Sequence, residues 1–172
     1  MIIHMKFIGS AIIIFCTTLI GCDVANSKKD RADRYKQIAD YLQLIVEKLM
    51  LGNASVTDIM NDCIKNFSGI LHSAADEFVK SLKQSDNISM TETFEIFIKN
   101  NPNYISTPES EYLGEFAKIW DTSGIDGIES IAGLTDKAKQ KYNEHTYNLK
   151  NEIKLFVCSG CFAGIILVLL LI

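Results

Sequence analysis

Apolar positions are distributed in two ways along this chain. At the two ends they are continuous: residues 7–22 and 155–172 carry no charge at all. Between them they recur every three or four residues, which is the signature of a helix with one buried face. Ile38, Leu42, Ile45, Val46 and Leu49 form the first such stripe, and Gly52 breaks it. Ser55 followed by Asp58 has the spacing of a helix start, with Ile59, Met60, Cys63 and Phe67 on the buried face. Ile70, Leu71, Ala74, Phe78 and Leu82 make a third stripe. Ser89 and Glu92 have capping-box spacing ahead of Phe94, Phe97 and Ile98, and Asn100-Asn101-Pro102 closes that helix. Thr107-Pro108-Glu109 combines a cap, a proline at the first helical position and an acid at the positive end of the helix dipole. Tyr112, Leu113, Phe116, Ala117 and Trp120 then give the buried face. In the last helix Ile131, Thr135, Ala138, Tyr142, His145 and Leu149 alternate steps of three and four, a heptad-like seam able to run on into Leu155. No alternating pattern suggests a strand. The fold expected is all-α: an antiparallel helical bundle flanked by an N-terminal and a C-terminal transmembrane helix. The expected boundaries are a first membrane segment at 1–25, a helical domain at 26–154 and a second membrane helix at 155–172.

The C-terminal apolar run has 18 residues. At about 1.5 Å rise per residue these cover roughly 27 Å, close to a hydrocarbon core. Lys150 and Lys154 precede it and can reach headgroups. The N-terminal run leaves two readings open. Lys6 followed by an apolar stretch fits a short membrane helix, and Leu19-Ile20-Gly21-Cys22 also fits a lipoprotein cleavage site that would leave Cys22 acylated. Lys28, Lys29, Arg31, Arg34 and Lys36 follow the first run, and only Lys6 precedes it. The positive-inside rule then puts the middle in the cytoplasm, which favours the uncleaved span. The same five residues form a basic cluster at the membrane surface, able to set topology or to attract anionic lipid.

Charge narrows the function. All 21 acidic residues, and all 17 basic ones except Lys6, lie between Asp23 and Lys154. The middle is therefore net acidic, which argues against a nucleic-acid surface. Catalytic motifs are absent. His4, His72 and His145 have no metal-ligand spacing, and neither a phosphate loop nor a nucleophile elbow is present. Cys158-Ser-Gly-Cys161 has redox-pair spacing but lies in an apolar run, where a thiolate is disfavoured. Cys63 and His145 read as packing residues. Gly160 and Gly164 put two small surfaces on one helix face, where another membrane helix can approach. Asn53, Asn66 and Asn87 begin glycosylation sequons, which a cytoplasmic domain leaves unused. No catalytic, cofactor-binding or metal-binding residue is expected, and a tethered bundle of this kind points to protein binding.

The layout resembles the stage III sporulation protein AB family of endospore-forming bacteria. The stretch from Gly160 through Gly164 to the terminal Leu/Ile run is similar to the family's ending. Lys6-Phe-Ile-Gly-Ser-Ala and Thr18-Leu-Ile-Gly21 look like its first span, with Cys22 standing where an apolar residue is usual. Leu49-Met-Leu-Gly52, with Ser55-Val56 and Asp58-Ile59, resembles an internal motif that carries proline in place of Ser55. Glu92-Thr-Phe94 falls where the family often has Glu-Ala-Trp. At Trp120-Asp-Thr-Ser123-Gly124, only Ser123 agrees at the polar positions.

The resemblance implies a scaffold and not an enzyme, with a soluble domain similar to the platform protein of type II secretion and type IV pilus systems. It implies a channel or feeding-tube complex between mother cell and forespore, with the main domain in the cytoplasm and both spans in the mother-cell membrane. The partners it implies are a secretion-type ATPase, the other membrane components and the lipid bilayer, with no nucleic acid; a homo-oligomer is compatible with it. The rival readings are a surface lipoprotein acylated at Cys22, a membrane redox protein using Cys158 and Cys161, and a tail-anchored protein glycosylated at Asn53, Asn66 or Asn87.

Overall fold

A computed structural model describes residues 2–52, 54–84, 89–147 and 149–171. Among the described residues the regular structure is helical: α1 (Ile2–Met50), α2 (Val56–Asn66), α3 (Gly69–Gln84), α4 (Met90–Asn100), α5 (Pro108–Ser123), α6 (Ile128–Tyr147) and α7 (Leu149–Leu171), with short 3-10 turns at Pro102–Tyr104 and Gly124–Gly127. The chain forms two compact units, Met1–Asp33 with Asn143–Ile172, and Arg34–Tyr142.

The first membrane segment and the first amphipathic stripe, read separately in the sequence, belong to the single helix α1. The physical reason is that neither glycine nor proline interrupts the chain between Gly21 and Gly52. Gly52, at φ +67°, then ends the helix in a conformation that a side chain would strain, and its N–H donates to Leu49 O at 3.1 Å.

In the unit Arg34–Tyr142 the core gathers Ile38, Tyr41, Leu42 and Ile45 of α1 with Ile59 and Met60 of α2, Leu71 and Phe78 of α3, Leu113 and Phe116 of α5, and Ile131 and Leu134 of α6, all almost fully buried. Consecutive helices α2 and α3, α3 and α4, and α4 and α5 pack on one another, as short connections in a bundle require. Tyr41 lies edge-on to Phe67, with ring centroids 5.2 Å apart. Phe67 is the residue that caps α2, in extended conformation, and so lies just past the stripe in which its spacing places it. Lys48 of α1 lies 2.7 Å from Asp62 of α2, and hydrogen bonding to Lys48 holds the Asp62 carboxyl below the usual carboxylate range.

Local caps explain where the helices begin. At α2 the capping box is complete: the Asp58 N–H donates to Ser55 Oγ and the Ser55 N–H to Asp58 Oδ2, each at 3.2 Å. At α5 the Ser110 N–H donates to Thr107 Oγ1 at 3.4 Å, with Pro108 at the first helical position. At α4 the expected box is only half formed. Ser89 Oγ accepts from the Glu92 N–H, and the carboxylate that engages this helix start is Asp121, from the end of α5, through a different set of donors. Asp121 accepts from the Ser89 hydroxyl at 2.6 Å, the Met90 N–H at 2.7 Å and the Thr91 N–H at 2.8 Å. It thereby satisfies donors that α4 cannot pair internally.

Desolvation works against the Asp121 charge, but the donors from Ser89, Thr91 and Met90 outweigh it and hold the carboxyl below its ordinary value. Asp121→Ala should therefore lower stability by about 1–2 kcal/mol at neutral pH. A carboxyl whose folded-state value is depressed stabilises fully above the ordinary aspartate range and loses that effect as pH falls through the folded value. Urea unfolding of the full chain in micelles, followed by circular dichroism, should show the wild-type advantage at neutral pH and its disappearance in strong acid.

Candidate functional site

In the unit Met1–Asp33 with Asn143–Ile172, α1 and α7 form an antiparallel pair. Ile14 lies against Gly164, Thr17 against Gly160 and Gly21 against Phe156, so one chain ascends as the other descends. The approach is too close for side chains. A Cβ on Gly160 would lie 2.5 Å from the Thr17 carbonyl oxygen, and one on Gly164 would lie 2.8 Å from Ile14 Cα and overlap Thr17 Oγ1. On the facing helix, a Cβ on Gly21 would lie 2.5 Å from the Phe156 carbonyl oxygen. Thr17 and Gly21 thus repeat on α1 the four-residue spacing of Gly160 and Gly164. That spacing was visible in the sequence and could have identified the facing surface. The Thr17 hydroxyl donates within its own helix, to Ile13 O and Ile14 O at 3.0 Å, so it is not stranded in the contact.

The outer surface of this pair is apolar. Phe15 is 64% exposed, Ile20 65%, Phe162 66% and Leu170 78%. Both helices are long and apolar enough to cross a membrane, and little of either apolar window is buried within the chain. A core helix would be covered by other side chains; this surface is suited to lipid.

The basic cluster is divided. Lys28 Nζ lies 2.5 Å from Glu152 Oε2 and 4.7 Å from the centre of the Phe156 ring, at the polar end of the helix pair. Arg34 Nη1 lies 3.6 Å from Glu109 Oε2, in the other unit. Lys29, Arg31 and Lys36 are exposed, and no ion pair to them forms among the described residues. Glu109, which the sequence reading placed at the start of α5 for its charge, is 6% exposed. Among the described residues its buried oxygen has no hydrogen-bond donor, since the Arg34 distance exceeds hydrogen-bonding range.

The candidate chemical groups occupy packing positions. Cys63 is fully buried, and burial pushes its thiol up to about 12, so it stays protonated. The His72 Nδ1–H donates to Ile64 O at 2.9 Å. His72 lines a polar cleft of about 320 Å³ together with Asp76, Glu77, Lys80, Asn100 and Asn101, and there Lys80 lies 2.6 Å from Asp76. Cys158 and Cys161 are free thiols. The Asn66 amide, in one of the three sequons, donates to Asp62 O at 2.8 Å, while Asn53 and Asn87 lie outside the described residues. Among the described residues no three His, Cys, Asp or Glu side chains converge to hold a metal. The spacing of the last helix allows it to run on into the apolar segment. The structure describes α6 up to Tyr147 and α7 from Leu149, and residue 148 lies outside the described residues.

A family model described as stage III sporulation protein AB matches residues 6–172. No curated protein and no solved structure shows significant similarity to the chain.

Proposed function

The chain belongs to the stage III sporulation protein AB family, and on that premise we propose that this sporulation protein is a non-enzymatic membrane scaffold. Its two apolar helices anchor it, and its helical unit Arg34–Tyr142 binds the other protein components of a secretion-like complex between mother cell and forespore. A cytoplasmic secretion-type ATPase is the main partner, and it meets the acidic surface of that unit. Both spans lie in the mother-cell membrane with the helical unit in the cytoplasm.

The observation that carries this reading is the reach of the family match, which includes both apolar segments as well as the middle. The antiparallel pairing of α1 and α7 supports a topology with both termini on one side. The cations that follow the first span and precede the second support a cytoplasmic middle. The same match supports retention of the N-terminal segment, because it starts well before Cys22. Cleavage at Cys22 would also remove Thr17 and Gly21, against which Gly160 and Phe156 pack. An intact mass showing residues 1–21 removed and a diacylglyceryl group on Cys22 would replace this reading with that of a surface lipoprotein.

Deleting the gene in a sporulating host should lower the count of heat-resistant spores by orders of magnitude, with arrest after engulfment, and a second copy should restore it. Normal spore counts after deletion would sink the proposal. Capture of the full chain from detergent-solubilised sporulating cells should bring the ATPase with it. Its consistent absence would remove the ATPase from the proposal.

A further inference from the structure

The cations at the polar end of the α1–α7 pair are not equivalent. Residues two apart on a helix lie about 200° apart around its axis, so Lys29 and Arg31 occupy opposite flanks of α1, and Glu152 and Lys154 opposite flanks of α7. Lys28, which leans toward the Arg31 side, binds Glu152 at 2.5 Å. On that flank Lys28 and Glu152 neutralise each other, and Arg31, farther from the apolar run, is left as the single unpaired cation among the described residues. Lys29 and Lys154 are left on the other flank, both exposed and neither with a carboxylate within ion-pair distance among the described residues. Asp33 is one turn further along α1 from Lys29, away from the apolar run. Asp23 and Asp30 fall on the side of α1 turned from α7.

What lies beneath the two lysines is apolar. A step of seven residues returns to nearly the same side of a helix, within about 20°. One and two such steps from Lys29 toward the membrane reach Cys22 and Phe15, and the same steps from Lys154 reach Cys161 and Val168. Phe15 is 64% exposed, and Cys22, Cys161 and Val168 are half-buried. Among the described side chains the flank thus carries two unneutralised ammonium groups at the membrane surface, with a continuous apolar strip descending from each. A free phosphate would use only the first of these features; an anionic phospholipid uses both.

We propose that Lys29 and Lys154 bind the phosphate of an anionic phospholipid on this flank of the α1–α7 pair, with its acyl chains lying along Phe15, Cys22 and Cys161. The opposite flank is the weaker one, because Glu152 neutralises Lys28 there and leaves only Arg31, farther from the apolar run.

The test uses the full chain reconstituted in phosphatidylcholine vesicles, with spin-labelled phosphatidylglycerol or spin-labelled phosphatidylcholine as the probe. The motionally restricted fraction should show a preference for phosphatidylglycerol. Lys29→Gln and Lys154→Gln should each weaken that preference about fivefold, the effect of one surface cation, and the double variant should abolish it. Arg31→Gln, on the opposite flank, and Lys118→Gln, on α5, should leave it intact, with unchanged circular dichroism in every variant. Equal restriction of the two lipids by the wild-type chain would overturn the proposal. So would a preference that survives in the double variant, or one lost in Arg31→Gln alone. Displacement of the labelled phosphatidylglycerol by inorganic phosphate at constant ionic strength would show a free-anion site instead, which also overturns it.

Discussion

Gly164→Ile should separate α1 from α7. The added Cβ would meet Ile14 Cα at 2.8 Å and overlap Thr17 Oγ1, so backbone and not merely a flexible side-chain end must move. Overpacking of this kind costs typically about 1–3 kcal/mol, and a clash against backbone lies at the upper end. Within lipid the pair has no hydrophobic drive to fall back on, because lipid tails are as apolar as its own side chains. Close packing is what holds it. A loss near 3 kcal/mol would reduce the equilibrium constant for pairing by about two orders of magnitude. The check is a Lys28→Cys/Glu152→Cys chain, in a background with the five native cysteines replaced by serine, treated with a short bis-maleimide in reconstituted membranes. The intramolecular product should form with Gly164 in place and fall to background in Gly164→Ile. Gly133→Ala is the control: nothing lies within 4 Å of its added methyl, and alanine favours the helix, so cross-linking should not change. Full cross-linking in Gly164→Ile would mean that the contact does not hold the pair together.

Phe116→Ala should be the most damaging single change in the unit Arg34–Tyr142. The ring is 0% exposed, and its centroid lies 6.1 Å from that of Trp120, the chain's sole tryptophan. Emptying such a site costs about 3–5 kcal/mol, from lost burial and from the cavity left behind. Phe116→Leu keeps most of the volume and should cost less than about 1.5 kcal/mol. Urea unfolding of the full chain in micelles, followed by circular dichroism, should order the three proteins as wild type, leucine, then alanine, with the alanine variant unfolding far earlier. A loss below 1 kcal/mol, on the ordinary scale of surface changes, would mean that the core is not centred on this ring.

The helices, their starts and their buried faces were legible because each depends on neighbours within a turn or two. Ser55 with Asp58 and Thr107 with Pro108 specify helix starts without reference to the rest of the chain. The stripe Ile38, Leu42, Ile45, Val46 and Leu49 is buried as its spacing requires. The continuity of α1 rests on an absence: no breaker separates its apolar half from its amphipathic half. The small faces of α7 were also legible at Gly160 and Gly164; their own spacing does not name a partner, and the matching spacing of Thr17 and Gly21 on α1 is the signal that points to it.

The amino-acid sequence by itself determined an all-helical chain, two apolar ends long enough for a membrane, and an acidic middle, since these follow from composition and from the helical period. Tertiary structure decided which distant groups meet. It brought Asp121 of α5 to the start of α4 where Glu92 was expected, buried Glu109 beside Arg34, and set Thr17 and Gly21 against Gly160 and Phe156. It also decided that Lys28 is neutralised by Glu152 while Lys29 is not. The physical reason is that a hydrogen bond, an ion pair or a steric clash acts over a few ångströms, and separation along the chain says nothing about such distances until the helices have packed.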